Sequence, residues 1–304
     1  MRRNRTTATT PTSPSAAGPA LDEHGHAAGE VHDHDRGLGF DLGTMGRRRA
    51  LALLGVGGVA TLVGCGSSSS DGSSASSTTA AASGSSTSAS STATADGSTA
   101  IPEETGGPYP GDGSNGPNVL DDSGIVRSDI TTSFGEYSGT AEGVPLTVKV
   151  TLIDVAGGGG PLAGAAMYLW HCDREGRYSL YSQGVTDQNY LRGVQESDAD
   201  GKLSFTTIYP AAYDGRWPHI HFEVYESADA ATSGGQKLRT SQMALPQATD
   251  ELVYATEGYE ASVANLARTS LDTDMVFSDG YATQVPTITG SVDEGFTAQL
   301  NVGI

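Results

Sequence analysis

The tract from Gly66 to Ala100, almost wholly Ser, Thr, Ala and Gly, limits the possible folds more than any other feature of the chain. That composition cannot bury enough apolar surface to offset the entropy of ordering it, which predicts a flexible linker. The chain then reads as an export leader over 1–64, a cysteine and linker over 65–100, and one folded domain over 101–304. About 200 residues is ample for a single all-β domain with a sizeable core.

Within that domain the apolar residues follow a period of two. Leu146 to Asp154 alternates apolar and polar side chains and ends at the glycines 157–160, which predicts a strand running into a loop. Further strands are predicted over Ala165 to His171, Lys202 to Ile208, His219 to Tyr225 and Phe296 to Val302. Only Thr249 to Leu266 has the pattern of a helix, weakened by Gly258. Short strands spaced by Gly, Asp and Pro turns predict an all-β fold, an antiparallel β-sandwich with little helix, whose long loops carry the site.

The leader has the marks of an exported protein. Arg47-Arg48-Arg49 precede a short, mildly hydrophobic run, Ala50 to Val63, too short for a spanning helix of about 20 residues. Paired arginines in that position predict the twin-arginine route, and Leu62-Val63-Gly64-Cys65 resembles a lipobox with Cys65 as the lipidated residue. The expected location is outside the cytoplasm, lipid-anchored on the outer face of the cytoplasmic membrane or at the cell surface. His24, His26, His32 and His34 lie ahead of the expected cleavage point and are set aside. With Cys65 lipidated, Cys172 stands alone and no intrachain disulfide is available. From Cys65 onward the formal charge is about −20, which argues against nucleic-acid partners and leaves the lipid anchor as the expected membrane contact.

The chemistry is concentrated in Pro210 to Val224, where Tyr213, Arg216, Trp217, His219 and His221 fall close together. On a strand His219 and His221 point the same way, about 6.6 Å apart, while Ile220, Phe222 and Val224 point the other way. Two imidazoles on one strand face suit Zn, Cu, Fe and Ni alike. Tyrosine, with a reference pKa near 10, becomes a good ligand only beside a hard, highly charged cation, so a phenolate partner points to ferric iron over zinc. His171 beside Cys172 is rejected as a nucleophile pair, because adjacent strand residues face opposite sides.

Several segments taken in order resemble the intradiol ring-cleavage dioxygenases of the catechol and protocatechuate type. They are Trp170-His-Cys-Asp-Arg-Glu-Gly-Arg-Tyr178-Ser, Arg192-Gly-Val-Gln, Asp198 to Pro210, and Tyr213…Arg216…His219-Ile-His221-Phe. The resemblance covers roughly Glu104 to Gln242. It implies a ferric ion, Fe(3+), held by Tyr178, Tyr213, His219 and His221, with a solvent hydroxide in a fifth position. It further implies a catechol-type substrate and O2 as partners, with cleavage between the two hydroxylated carbons to a muconate-type diacid. By the same resemblance Tyr213 leaves the metal to accept a substrate proton, Arg216 steadies negative charge on the ring, and Gln242 lies near the reacting carbon. Tyr109, in Glu104-Thr-Gly-Gly-Pro-Tyr109, and Trp217 are expected to line the pocket.

The match also departs from the family. Leader and tether occupy the region where the catechol enzymes carry a helical dimerisation segment, which favours a protocatechuate-like or extracytoplasmic branch and leaves the oligomer open. Two other readings compete with the dioxygenase one. A cupin-like metal site would draw Glu223 to the histidine pair and make the tyrosines incidental. A catalytically inactive, transthyretin-like surface binding module would keep the motif without turnover. Tyr181 competes with Tyr178 for the ligand role.

Overall fold

The computed structural model describes residues 96–304. The leader, Cys65, the upstream histidines and the linker as far as Ala95 lie outside the described residues; the last residues of the expected linker, 96–100, are instead docked on the domain, with Gly97 buried and Ala100 bridged to Gly303. Strand β1, Pro145–Asp154, buries Leu146, Val148, Val150 and Leu152 and alternates them with Thr147, Lys149 and Thr151, the period that the sequence carries. It pairs antiparallel with β2 (Gly160–Pro161) and β5 (Lys202–Ile208), and parallel with β9 (Gly295–Gly303), which pairs in turn with β8 (Thr287–Ser291). The expectation of a wholly antiparallel fold fails at this β1–β9 pair. Strands from opposite ends of the domain meet there, and period two in each is blind to direction.

The second sheet runs β4 (Arg192–Glu196), β3 (Ala166–Trp170), β6 (His219–Tyr225), β7 (Lys237–Ala244), antiparallel throughout. One buried cluster takes Leu146 to Leu152 from β1, Phe296 to Val302 from β9, Met167 and Leu169 from β3, and Ile220, Phe222 and Val224 from β6. Each of the larger side chains so buried contributes about 1.5–3 kcal/mol. The opposite face of the second sheet carries Tyr168, Trp170, His219 and His221. It too is closed, under Val119, Leu120, Ile125, Tyr178 and Ala211 from the connecting segments. The histidine face is therefore interior as well.

The described residues hold three short helices: α1 (Ala228–Thr232), α2 (Gln247–Tyr254) and α3 (Glu260–Leu266). The expected single helix is split in two. Gly258 lies between the halves at φ +92°, a left-handed backbone that ends a helix, and a Cβ there would come within 2.7 Å of the Arg174 guanidinium.

Candidate metal centre

His219 and His221 reach the centre from one face of β6, their ring centroids 4.6 Å apart and their Nε2 atoms 3.0 Å apart. The His219 Nδ1 lies 2.5 Å from the Trp217 carbonyl, which can only accept. The proton therefore belongs on Nδ1, and the Nε2 lone pair faces inward. Tyr213, on the segment between β5 and β6, brings its hydroxyl to 3.2 Å from that same Nε2. Tyr178 closes the group from the segment after β3, its ring 5.9 Å from Tyr213 and 6.1 Å from His221. That segment is fixed in an unusual backbone, with Leu180 at φ +73°.

Two polar atoms of this group lack partners. The Tyr178 hydroxyl and the His221 Nδ1 are buried without a hydrogen bond. A buried phenol left so costs roughly 1–3 kcal/mol, a cost removed if its oxygen binds a cation. Tyr181, the rival, is already engaged: its hydroxyl accepts from Gly111 N–H at 2.8 Å and donates to the Asn115 carbonyl at 2.9 Å. Among the described residues no three His, Cys, Asp or Glu side chains gather as a metal-holding group, so any cation here needs the phenols as well as the imidazoles. Two phenols and two inward nitrogens fit a hard trivalent ion such as ferric iron.

The electrostatics agree with that donor set. Burial pushes the Tyr178 phenol well above its ordinary pKa, with Tyr213 adding to the shift. Burial, then the charge of Arg216, drives His219 well below its ordinary value; burial and His219 do the same to His221. The Tyr178 phenol stays protonated unless a cation displaces its proton, and the two imidazoles are uncharged, as metal ligands must be.

Arg216 is buried behind the group. Its Nε donates to Asp274 Oδ2 at 2.9 Å and one Nη to Gln242 Oε1 at 2.7 Å. Burial alone would lower the guanidinium's pKa, but Tyr213 and Asp274 outweigh it and hold the group firmly charged. Gln242 lies directly across β7 from His221 and ties its Nε2 to the Thr105 carbonyl at 2.9 Å. The Tyr109 ring lies 4.9 Å from that of Tyr178 and 5.3 Å from that of Tyr181, tilted to both.

Trp217 does not line the pocket. Its indole donates to the Leu245 carbonyl and packs with Ala244, Val276 and Phe277, because Trp217 lies in the turn ahead of β6, where the alternation of the strand does not set its direction. Glu223 does not join the histidines either. Its carboxylate takes Lys237 on one oxygen and the Tyr225 hydroxyl on the other, which removes the cupin-like arrangement. Cys172 is buried and unreactive: burial raises its thiol far above the usual range. His171 instead bridges the Cys172 carbonyl and the Thr207 hydroxyl.

Asp274 is the residue that sequence reading missed. It lies in an irregular segment more than fifty positions from Arg216, with no motif to mark it. Only its three backbone donors, Trp217, Val276 and Phe277, show it to be an organising carboxylate.

Known proteins are similar to this chain over the stretch that carries these residues. The family model described as Dioxygenase matches residues 115–257. Chlorocatechol 1,2-dioxygenase of Rhodococcus opacus is 38% identical over 56 residues, 18% of this chain and 22% of that protein. Catechol 1,2-dioxygenase 2 of Acinetobacter lwoffii is 30% identical over 119 residues, 32% of this chain and 40% of that protein. The chain thus spans well under half the length of the curated relatives it matches. Among solved structures, an intradiol ring-cleavage dioxygenase from Tetranychus urticae aligns with a TM-score of 0.54 at 23% identity, covering 68% of this chain and 94% of that one, which supports the mainly-β fold. The matched stretch, 115–257, contains Tyr178, Tyr213, His219 and His221, and over that stretch the chain is similar to the intradiol ring-cleavage dioxygenase family.

Proposed function

We propose that the domain is a non-haem ferric dioxygenase that opens a catechol-type ring between its two hydroxylated carbons with O2. The observation that carries this reading is the buried, unpartnered Tyr178 hydroxyl facing Tyr213 and the paired Nε2 atoms of His219 and His221. Tyr178, Tyr213, His219 and His221 would hold the ion, which when bound supplies Lewis acidity toward both catechol oxygens. Tyr213, less buried than Tyr178, would be deprotonated on holding the ion, and as a phenolate is the group placed to accept a proton from a substrate hydroxyl. Arg216, locked by Asp274, offers a fixed positive charge to an anionic ring, and Gln242 holds that charge in line with His221. Tyr109 supplies an aromatic wall.

The two sheets are read as face-to-face layers of a sandwich, a reading supported by the single core cluster they share. The leader supports export by the twin-arginine route and a lipid anchor at Cys65, hence work on aromatic breakdown products met outside the cytoplasm. The test is oxygen uptake by the iron-loaded protein against a panel of substituted catechols, with product absorbance reporting the bond broken. Uptake of one O2 per ring and a muconate-type product are expected; iron-loaded protein inert to the whole panel would instead leave a binding module.

A further inference from the structure

The two histidines are held in different ways. His219 is oriented by its Nδ1 hydrogen bond to the Trp217 carbonyl, the arrangement usual for a metal-ligating imidazole. His221 has none, since its Nδ1 is buried without a partner. What fixes its ring is aromatic. Trp170 is its direct partner across the β3–β6 pair, and the two rings lie 5.0 Å apart at an interplanar angle of 4°. Tyr168 stacks beneath Trp170 at 4.9 Å and 22°.

The base of this stack is pinned. The Tyr168 hydroxyl donates to the Pro110 carbonyl at 2.7 Å and accepts from Arg192 at 3.1 Å. Arg192 also donates to the carbonyls of Tyr109 and Ser179, the neighbours of Pro110 and Tyr178. Sheet register places Arg192, Trp170, His221 and Gln242 in one row across β4, β3, β6 and β7. On the imidazole's remaining flank, a Cβ at Gly107 would lie 3.2 Å from His221 Cε1, so the strap there closes directly against the ring.

We propose that Trp170 is a positioning residue that aims the His221 imidazole by ring stacking, in place of the missing hydrogen bond. This rests on the reading of the site as a ferric centre. Mere filling of the core does not account for an indole at this place: its Nε1–H is buried without an acceptor, a cost that a phenyl ring would avoid.

The test compares Trp170→Met, which fills space without a ring, with Trp170→Phe, which keeps one. Ferric affinity is measured on the full chain by competition with citrate, and the His221 ring protons are followed by NMR in the metal-free protein. The Met variant is expected to bind ferric iron about 10- to 100-fold more weakly, the usual loss when an orienting partner of a ligand is removed. The Phe variant recovers most of that affinity. In the metal-free native protein the His221 ring protons lie upfield through the indole ring current, and they move downfield in the Met variant. Equal affinities in both variants and the native protein, or His221 protons without the upfield displacement in the native protein, overturn the proposal. The NMR result stands even if the Met variant does not fold. Native protein that takes up no ferric ion at all defeats the metal-centre reading instead, and is recognised as such before any variant is compared.

Discussion

Replacing Asp274 with alanine removes the counter-ion of Arg216 from a place where water cannot substitute for it. The two side chains are 2% and 0% exposed, and their nearest N and O atoms are 2.9 Å apart. Asp274 also accepts the backbone N–H groups of Trp217 at 2.7 Å, Val276 at 2.9 Å and Phe277 at 3.3 Å, so one substitution orphans a guanidinium and three amides. Breaking a buried pair by removing one partner costs roughly 3–5 kcal/mol, because the remaining charge stays desolvated. That is a large share of the ~5–15 kcal/mol that holds a domain together. Asp274→Asn keeps an acceptor oxygen while losing the charge, and should cost less, about 1–3 kcal/mol. Urea unfolding of the metal-free proteins, followed by tryptophan fluorescence, measures both. A loss under about 1 kcal/mol for Asp274→Ala, the range of a solvent-exposed pair, would refute the claim that Arg216 is a buried charge fixed by this carboxylate.

Further perturbations address the surroundings of the centre. His171 is fully buried, and burial lowers its pKa to about 4, so the folded chain refuses a proton that the unfolded chain accepts from pH 6.5 downward. Its contribution is intact above pH 6.5 and is lost as pH falls toward 4, by about 1.4 kcal/mol per pH unit and ~3 kcal/mol in all. His171→Gln should flatten the native pH slope of urea stability by that amount, and an unchanged slope would show that the imidazole titrates normally. Lys237 bridges Asp112 and Glu223, whose side chains are 3% and 1% exposed, and Lys237→Met should cost on the order of 2 kcal/mol, less than a fully buried case since the ammonium is partly solvated. A double-mutant cycle with Glu223→Gln checks this, because additive losses would mean that the pair does not interact. Gly107 has φ +67° with its missing Cβ aimed at His221, so Gly107→Ala should lower stability by roughly 1–2 kcal/mol and weaken ferric binding; a neutral result in thermal unfolding contradicts the close approach.

The legible parts of this chain were those governed by local periodicity. The strands of β1, β5, β6 and β9 could be read because apolar residues alternate along them, β3 because it is a short unbroken apolar run, and the His219–His221 pair because alternation puts both on one face. β4, β7 and β8 escaped notice: Arg192-Gly-Val-Gln-Glu and Lys-Leu-Arg-Thr-Ser-Gln show no clean alternation, and both are strands because neighbours pair with them. The parallel β1–β9 contact and the closure of segments over the histidine face are tertiary facts without local signature. The same holds within the site. Tyr178 could be carried over from a motif, whereas its rival Tyr181 could be set aside only once its hydroxyl was found bonded to Gly111 and Asn115. Trp217 was misplaced because it lies in the turn before β6, where closeness in sequence to His219 does not fix the direction of its ring, and Asp274 was invisible because its partner is distant along the chain.

The central claim is that two phenols and two imidazoles form one ferric site, and a ferric titration of the metal-free protein followed in the visible range tests it most directly. The account predicts saturation at one ion per chain with a tyrosinate-to-iron charge-transfer band, a weaker and displaced band in Tyr178→Phe, and no change in Tyr181→Phe. A protein that stays colourless at saturating ferric ion, or a Tyr178→Phe variant with the native band, would contradict it.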